Sequence, residues 1–333
     1  MAEDRTEGQG PHGAQQGDDP GGTEPGGSAV LTAEDQAPDE PVYIVKRRRR
    51  FKAYPYLFMA PALILVFIVF AYPIVAGIWT SLHLDSVYVA EREFVGLETY
   101  TTLFDRPQFW NAMQNSVIFV VATVVFGVLL ALGFATALYY VPRFNKTLRT
   151  ISLIPWLISG IAVAWIFRFL FNRDVGAIGP VMEFFGMDPV VWIGHPTRAM
   201  VLIIIANTWY LVPFGTLLLL AGMHMLDQEL FDAGKVDGAS SWQLFTRVTL
   251  PQLKPHVGVV LVVMSFAAWN TFDLVIALTF GGPQGATEVL ALYMYNRAFM
   301  QLIFSEGAAI MAIILAINVV LSVWYLYWMR AED

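Results

Sequence analysis

Two apolar stretches of this chain carry polar side chains that a passive apolar helix does not need. One holds Asn207, Thr208, Trp209 and Tyr210; the other holds Trp269, Asn270, Thr271 and Asp273. Amides and hydroxyls both donate and accept hydrogen bonds, and indole or phenol rings add an apolar face, so such sets suit contact with a polar solute. The alternative reading is that the aromatics only pack a bundle or sit in an interfacial belt. An ionisable Asp273 within an apolar span faces the bundle interior or a water-filled cavity, because a lipid-facing carboxylate costs several kcal/mol. It could instead lie near enough to the surface to be solvated, or cap a neighbouring helix.

Bond-breaking chemistry finds no such set. The sequence holds no GxxxxGK[ST] phosphate loop and no HExxH pair, and its five His residues are scattered at 12, 83, 195, 224 and 256. Asp237-Gly238 is not followed by the oxygen ligands of a calcium loop. With no cysteine at all, disulfides, thiolate metal sites and cysteine nucleophiles are excluded.

The elements that must position the polar sets are membrane helices. With 56% hydrophobic and 14% charged residues and a mean hydropathy of +0.56, the 333-residue chain does not read as a soluble domain. The net charge of -7 misleads, since residues 1 to 45 hold ten acidic side chains and one Arg. Nothing in the remaining balance points to nucleic acid. Residues 1 to 45 are rich in Gly, Pro, Gln and acids and read as a disordered acidic cytoplasmic tail. Apolar sequence begins near residue 55, past the window of a cleaved signal peptide. Residues 46 to 54 form a basic juxtamembrane segment, Lys46 to Arg50 with Lys52, that sets orientation by the positive-inside rule.

Six spans of about 20 residues are expected, near 55–80, 113–139, 150–171, 199–222, 257–279 and 307–328, within one transmembrane domain over 55–330. The fold class is therefore all-α and polytopic, with both termini cytoplasmic. Pro61, Pro73, Pro155 and Pro213 fall inside spans, and Gly127, Gly133, Gly160 and Gly215 permit close helix approach.

A polar island, residues 229–255, separates the fourth and fifth spans. Its pattern predicts two short helices, roughly 227–236 and 240–248, broken at Asp237-Gly238, where glycine allows a turn that a side chain resists. Ser240 or Asp237 caps the second helix, and Pro251 and Pro255 stop it. Leu230, Phe231, Val236, Trp242 and Phe245 are expected to be exposed, which suits insertion into a cleft on a soluble partner.

This island resembles the coupling loop, here 227–250, of permease subunits in ATP-driven, binding-protein-dependent importers. The family pattern is Glu-Ala-Ala, two residues, Asp-Gly-Ala, then a Phe and a Leu-Pro. Asp237, Gly238, Ala239, Phe245, Leu250 and Pro251 match, while Asp232, Ala233 and Gly234 stand where Glu-Ala-Ala is usual. Gly234 is a departure that puts a flexible residue into the first short helix. Further stretches are similar to the carbohydrate-uptake branch, typified by the larger maltose-system permease. They include Phe94 to Tyr100 with Asn115-Ser116, Ile154-Pro155-Trp156, and Leu278-Thr279-Phe280-Gly281-Gly282-Pro283 with Thr287-Glu288. The similarity covers about residues 53–330.

The resemblance implies a type I importer permease in the cytoplasmic membrane of a bacterium or archaeon. It implies a second related permease subunit, two cytoplasmic ATPase subunits that bind ATP and Mg, and an external solute-binding protein. This chain itself would hold no cofactor and no ATP-hydrolysing site. The family's sugar site maps onto Asn207, Tyr210 and Phe214 in the fourth span and Asn270, Thr271 and nearby Ala267 in the fifth, with Trp269 and Asp273 beside them. Within the class, glycerol phosphate or another polar solute is the rival, although a phosphate favours cationic groups and the spans hold few. An ion-coupled secondary transporter using Asp273 leaves the coupling loop unexplained. A membrane scaffold leaves the intramembrane prolines and polar residues unexplained.

A polar, aromatic-poor tail contributes little folding energy. Deleting residues 1 to 40, with the basic cluster kept, is expected to leave assembly and uptake largely intact. Lost uptake by a truncated chain present at normal levels would reveal a docking or regulatory role for the tail.

Overall fold

Apolar helices of span length dominate the computed structural model, which describes residues 54–88, 91–140 and 145–330. The expected tail and most of the basic segment lie outside the described residues. Helix α1 (Tyr54–Val66) passes through a π-helical turn, Phe67–Ala71, into α2 (Tyr72–Ser81). The wide turn sits just before Pro73, whose ring and missing donor disrupt a regular α-helical ladder. A two-residue hairpin, β1 (His83–Leu84) with β2 (Glu93–Phe94), and α3 (Glu98–Phe104) lead to α4 (Pro107–Tyr140).

The expected third span is not one helix. It is broken into α5 (Asn145–Ser152), α6 (Ile154–Leu157) and α7 (Gly160–Leu170). Pro155 accounts for the first break, because the residue before a proline is pushed from helical geometry and the proline then starts a new helix. After α8 (Ile178–Phe184), α9 (Pro196–Met223) runs uninterrupted through Pro213.

The island contains α10 (Gln228–Val236) and α11 (Ser241–Leu244). A π turn over Phe245–Thr249 joins α11 without interruption to α12 (Leu250–Trp269). Pro251 and Pro255 therefore do not stop the second short helix, contrary to expectation. Pro251 falls in the first turn of α12, where a missing donor is tolerated, and the π turn ahead of it takes up the ring. The expected fifth span also breaks, at Asn270–Phe272, before α13 (Asp273–Thr279). The chain closes with α14 (Leu290–Tyr295), a π turn over Asn296–Met300, and α15 (Phe304–Arg330).

Among the described residues, five helical stretches are long and apolar enough to cross a membrane: 58–81, 107–140, 196–223, 241–269 and 304–329. Six spans were expected; the third, near 150–171, is not among these stretches, yet helix direction demands a crossing between the second and third of them. Helices α4 and α9 form the most extensive pairing. Gly215 faces Ala131, and further along both helices His224 packs on Tyr139, with ring centroids 5.4 Å apart. The two helices are therefore parallel, and the segment containing residues 145–195 must return the chain across the bundle. A side chain at Gly215 would collide with Met264 of α12, so this glycine sets the closeness of three helices.

On the side of the bundle away from the island, Glu306 accepts hydrogen bonds from Arg106 at 2.9 Å and from Arg297, and Gln301 accepts from Arg297 as well. Arg297 and Glu306 are both buried.

The parallel pair α4 and α9 predicts opposite exposure for the loops at their two ends. In this cysteine-free chain, Glu91→Cys and Asp188→Cys should label with an impermeant thiol reagent added outside, and Lys235→Cys only after permeabilisation. Labelling of Lys235→Cys in intact cells, with Asp188→Cys silent, would overturn the orientation.

Candidate functional site

Local chemistry shapes the island first. Asp227 caps α10 by accepting from the Glu229 N–H at 2.9 Å, and Lys235 pairs with Asp232 at 2.9 Å on its exposed face. Ser240 caps α11 in a reciprocal box with Gln243: the Ser240 hydroxyl accepts from the Gln243 N–H, and the Gln243 side chain accepts from the Ser240 N–H. Of the two caps considered for the second helix, Ser240 fills the role, while Asp237 closes α10. Gly238 adopts φ +78 in the turn between them, with open space where a side chain would project. Its demand is conformational rather than steric.

Packing then sorts the apolar residues. Phe231 is buried, contrary to its expected exposure, because α10 folds back on α11 and the bundle. Gly234, expected to add flexibility, lies within α10 where Leu244 packs against it. Val236 and Trp242 remain exposed, Trp242 by 71%, with Leu230 beside them. Phe245 is half-buried and stacks on Trp242 at 5.8 Å. Asp232, Ala233 and Asp237 line the exposed surface, with Ala239 half-buried. The island thus offers an apolar knob ringed by charges, held by two caps and one left-handed glycine.

The second set lies in the bundle. Asn207 is 0% exposed, and neither its Oδ1 nor its Nδ2 has a hydrogen-bond partner among the described residues. The pairing of Ala131 with Gly215, carried back along α4 and α9, sets Thr123 level with Asn207. Thr123 is also fully buried with an unpartnered hydroxyl. Trp269 Nε1 and Thr208 Oγ1 are buried and unpartnered too. Each such group costs about 1–3 kcal/mol, so several together in one bundle call for a ligand, a water or a different conformation.

The other expected site residues behave differently. Tyr210 and Phe214 are half-buried, and Phe214 stacks on Trp156 of α6 at 5.1 Å. Trp209 packs edge-on against Phe167. Asn270 is exposed and donates to the Phe266 carbonyl at 2.7 Å, and Thr271 donates to that of Ala267 at 2.9 Å. Both side chains satisfy the frayed end of α12. Phe272, which the sequence reading passed over, stacks on Tyr295 at 5.2 Å, and Tyr295 packs on Phe299. The signal available was an aromatic beside the polar break.

Asp273 is the first residue of α13, and its carboxylate abuts Gly160, the first residue of α7. Neither helix has a side-chain cap of its own at its N-cap residue. One carboxylate therefore stands beside the first residues of two helices, and any side chain at 160 would displace it. The carboxylate lies at the start of a neighbouring helix, where the capping alternative would put it, with no hydrogen bond to that helix among the described residues, and it also lies within electrostatic reach of Tyr210.

Comparison with known proteins follows the same two regions. Residues 124–331 match the family described as binding-protein-dependent transport system inner membrane component. The chain is 36% identical over 241 residues to a trehalose/maltose transport system permease protein of Thermococcus litoralis, spanning 72% of this chain and 82% of that one. It is 32% identical over 289 residues to a lactose transport system permease protein of Rhizobium radiobacter, spanning 85% and 96%. In fold it resembles a chain of a bacterial alginate ABC transporter solved with an alginate pentasaccharide-bound periplasmic protein. The TM-score is 0.72 at 22% identity, over 84% of this chain and 95% of that one. The match begins inside α4 and runs to the end of α15, taking in the island and the polar break alike, and on that extent the chain is a member of the binding-protein-dependent transport system inner membrane component family.

Proposed function

We propose that this chain is the permease of an ATP-driven importer that takes a sugar or oligosaccharide from an external solute-binding protein and passes it inward by alternating access. A second related permease would complete the path, and two cytoplasmic ATPase subunits would bind ATP and Mg. The observation that carries this reading is the island itself: an exposed Trp242 and Val236 on capped short helices, with α11 continuous through α12 to the polar break at Asn270. A push on Trp242 is delivered along one helix to the level of Asp273. The sugar assignment draws on the carbohydrate-transport names of the relatives and on amides, hydroxyls and aromatic faces near the break. Asn207, Tyr210, Phe214, Trp269, Asn270, Thr271 and Asp273 are the residues proposed to meet solute, Asn207 and Trp269 in a conformation that opens their buried polar atoms.

The coupling role is tested at Gly238. A β-branched side chain in the left-handed region costs about 1–2 kcal/mol or more, so Gly238→Val should shift α11 together with Trp242. Binding-protein-stimulated ATP hydrolysis in reconstituted membranes should fall severalfold at unchanged subunit stoichiometry. Normal stimulation would defeat the coupling reading.

The solute role is tested at Asn207 and Tyr210. Asn207→Ala and Tyr210→Ala should lower uptake several-fold, about 1 kcal/mol per lost hydrogen bond, while assembly with the ATPase persists. Asn207→Leu serves as the discriminating variant. If Asn207 meets no solute, replacing an unpaired buried amide by an apolar side chain should raise thermal stability and leave uptake unchanged, and that result would remove it from the site.

A further inference from the structure

The seam between α7 and α13 carries one charged side chain at each end. Asp273 stands at its start against Gly160, and Arg168 stands eight residues along α7, about 12 Å away by helical rise. Arg168 Nη1 reaches the carbonyls of Ala277 and Leu278 at 3.5 Å each, the outer limit of a hydrogen bond. Its Nη2 and Nε donors make no hydrogen bond among the described residues, and no described carboxylate lies within ion-pair distance. The guanidinium is instead flanked by two rings, 5.3 Å from the centroid of Trp165 and 6.0 Å from that of Phe280. Both rings are mostly exposed.

Phe280 holds this position at φ +56, the left-handed region that a bulky residue rarely enters. Phe280 closes α13 as its left-handed C-cap, with its N–H donating to the Ile276 carbonyl, and this fixes the ring beside the guanidinium. A planar fork with free donors, walled by aromatic faces and lacking a carboxylate partner, matches an oxyanion geometrically, since arginine binds carboxylate and phosphate through paired hydrogen bonds.

We propose that Arg168, Trp165 and Phe280 form a recognition site for an oxyanion group, a carboxylate, sulfonate or phosphate, carried either by a passing solute or by a lipid headgroup. The solute source rests on the transport reading above; the headgroup source does not. A solute bearing such a group would meet the fork at one end of the seam and the neutral polar break at the other. Arg168 would then bias the path toward acidic solutes.

The reporter is Phe280→Cys in an otherwise cysteine-free assembled transporter in nanodiscs, which gives up one ring wall and keeps the Arg168 guanidinium and the Trp165 ring that carry the test. Its rates with an anionic and a cationic methanethiosulfonate reagent are compared at constant ionic strength. A unit charge about 6 Å away acts with opposite sign on the two reagents, so the rate ratio should favour the anion roughly tenfold and become even in Arg168→Gln. Arg168→Lys keeps the charge and should keep the preference, separating loss of charge from loss of fold. Glucuronate in phosphatidylcholine nanodiscs should collapse the ratio where glucose does not, which assigns the oxyanion to solute. Collapse by phosphatidylglycerol nanodiscs without any solute assigns it to a headgroup. A ratio indifferent to glucuronate and to phosphatidylglycerol, or one equally responsive with Gln at 168, overturns the site. Binding-protein-stimulated ATP hydrolysis on the same samples keeps the two proposals apart: normal stimulation with an indifferent ratio removes only the site, and absent stimulation with a responsive ratio removes only the transport reading.

Discussion

A helix that begins inside a bilayer exposes N–H groups that hydrocarbon cannot satisfy, and this bundle contains two such beginnings at one place. Helices α7 and α13 both start where Asp273 meets Gly160. The carboxylate supplies negative charge to both dipoles, and the glycine supplies the room. Both helix starts lie within reach of that one carboxylate. With it, the chain gains irregular backbone at Ile158–Ser159 and Asn270–Phe272, where polar groups can face something other than lipid. An intramembrane carboxylate that looks, from sequence, like a candidate for ion coupling is therefore first a structural member. Tyr210 shares its field, so a solute at this level would meet a site whose charge is already engaged.

The same break terminates the element that begins in the island. From Ser241 to Trp269 the chain is helical for 29 residues, about 43 Å by helical rise. Had Pro251 stopped the short helix, as its sequence position suggested, displacement of Trp242 would have dissipated in a loop. The π turn at Phe245–Thr249 accommodates the proline and keeps the rod intact. Leu244 packed on Gly234 ties α10 to the same rod. The apolar knob at one end and the polar break at the other are thus ends of one object, which is the mechanical requirement of a coupled transporter.

Legibility followed the range of the physics. Features set by a few adjacent residues were readable: the two short helices, the turn with left-handed Gly238, the Ser240 cap, and apolar stretches of span length. Features set by partners distant in sequence were not. Phe231 and Val236 are both apolar residues of α10, and only the fold of the island decides which one is covered. Pro155 breaks the segment expected as the third span and Pro251 does not stop the helix it was expected to stop, because a proline's effect depends on whether the preceding turn can widen. Asn207 was readable as a polar residue in a span. Its complete burial beside an equally unpaired Thr123 depends on the register of α4 against α9, which glycine and alanine at 215 and 131 set and no local pattern reveals. Arg106, Arg297 and Glu306 carry no local pattern at all, since nothing short-range announces that residues so far apart share one site.

That ionic cluster sets the boundary condition on movement. Glu306 holds Arg106 from the start of α4 and Arg297 from the turn before α15, and both Arg297 and Glu306 are buried. Separating buried partners leaves charge without compensation, at a cost of about 3–5 kcal/mol, whereas exposed pairs such as Lys235 with Asp232 contribute under 1 kcal/mol. Sliding α4 against α15 at this end is therefore expensive, and changing the surface of the island is cheap. The α12 rod lies between these regimes: it is packed on α9 through Gly222 and His256 and on α15 through Gly258 and Met329, and its far end, with Trp269 buried, meets the irregular break. Work done on the island is consequently absorbed where the resistance is least. That place is the junction of α12 and α13, beside Asp273 and the polar residues proposed to meet solute.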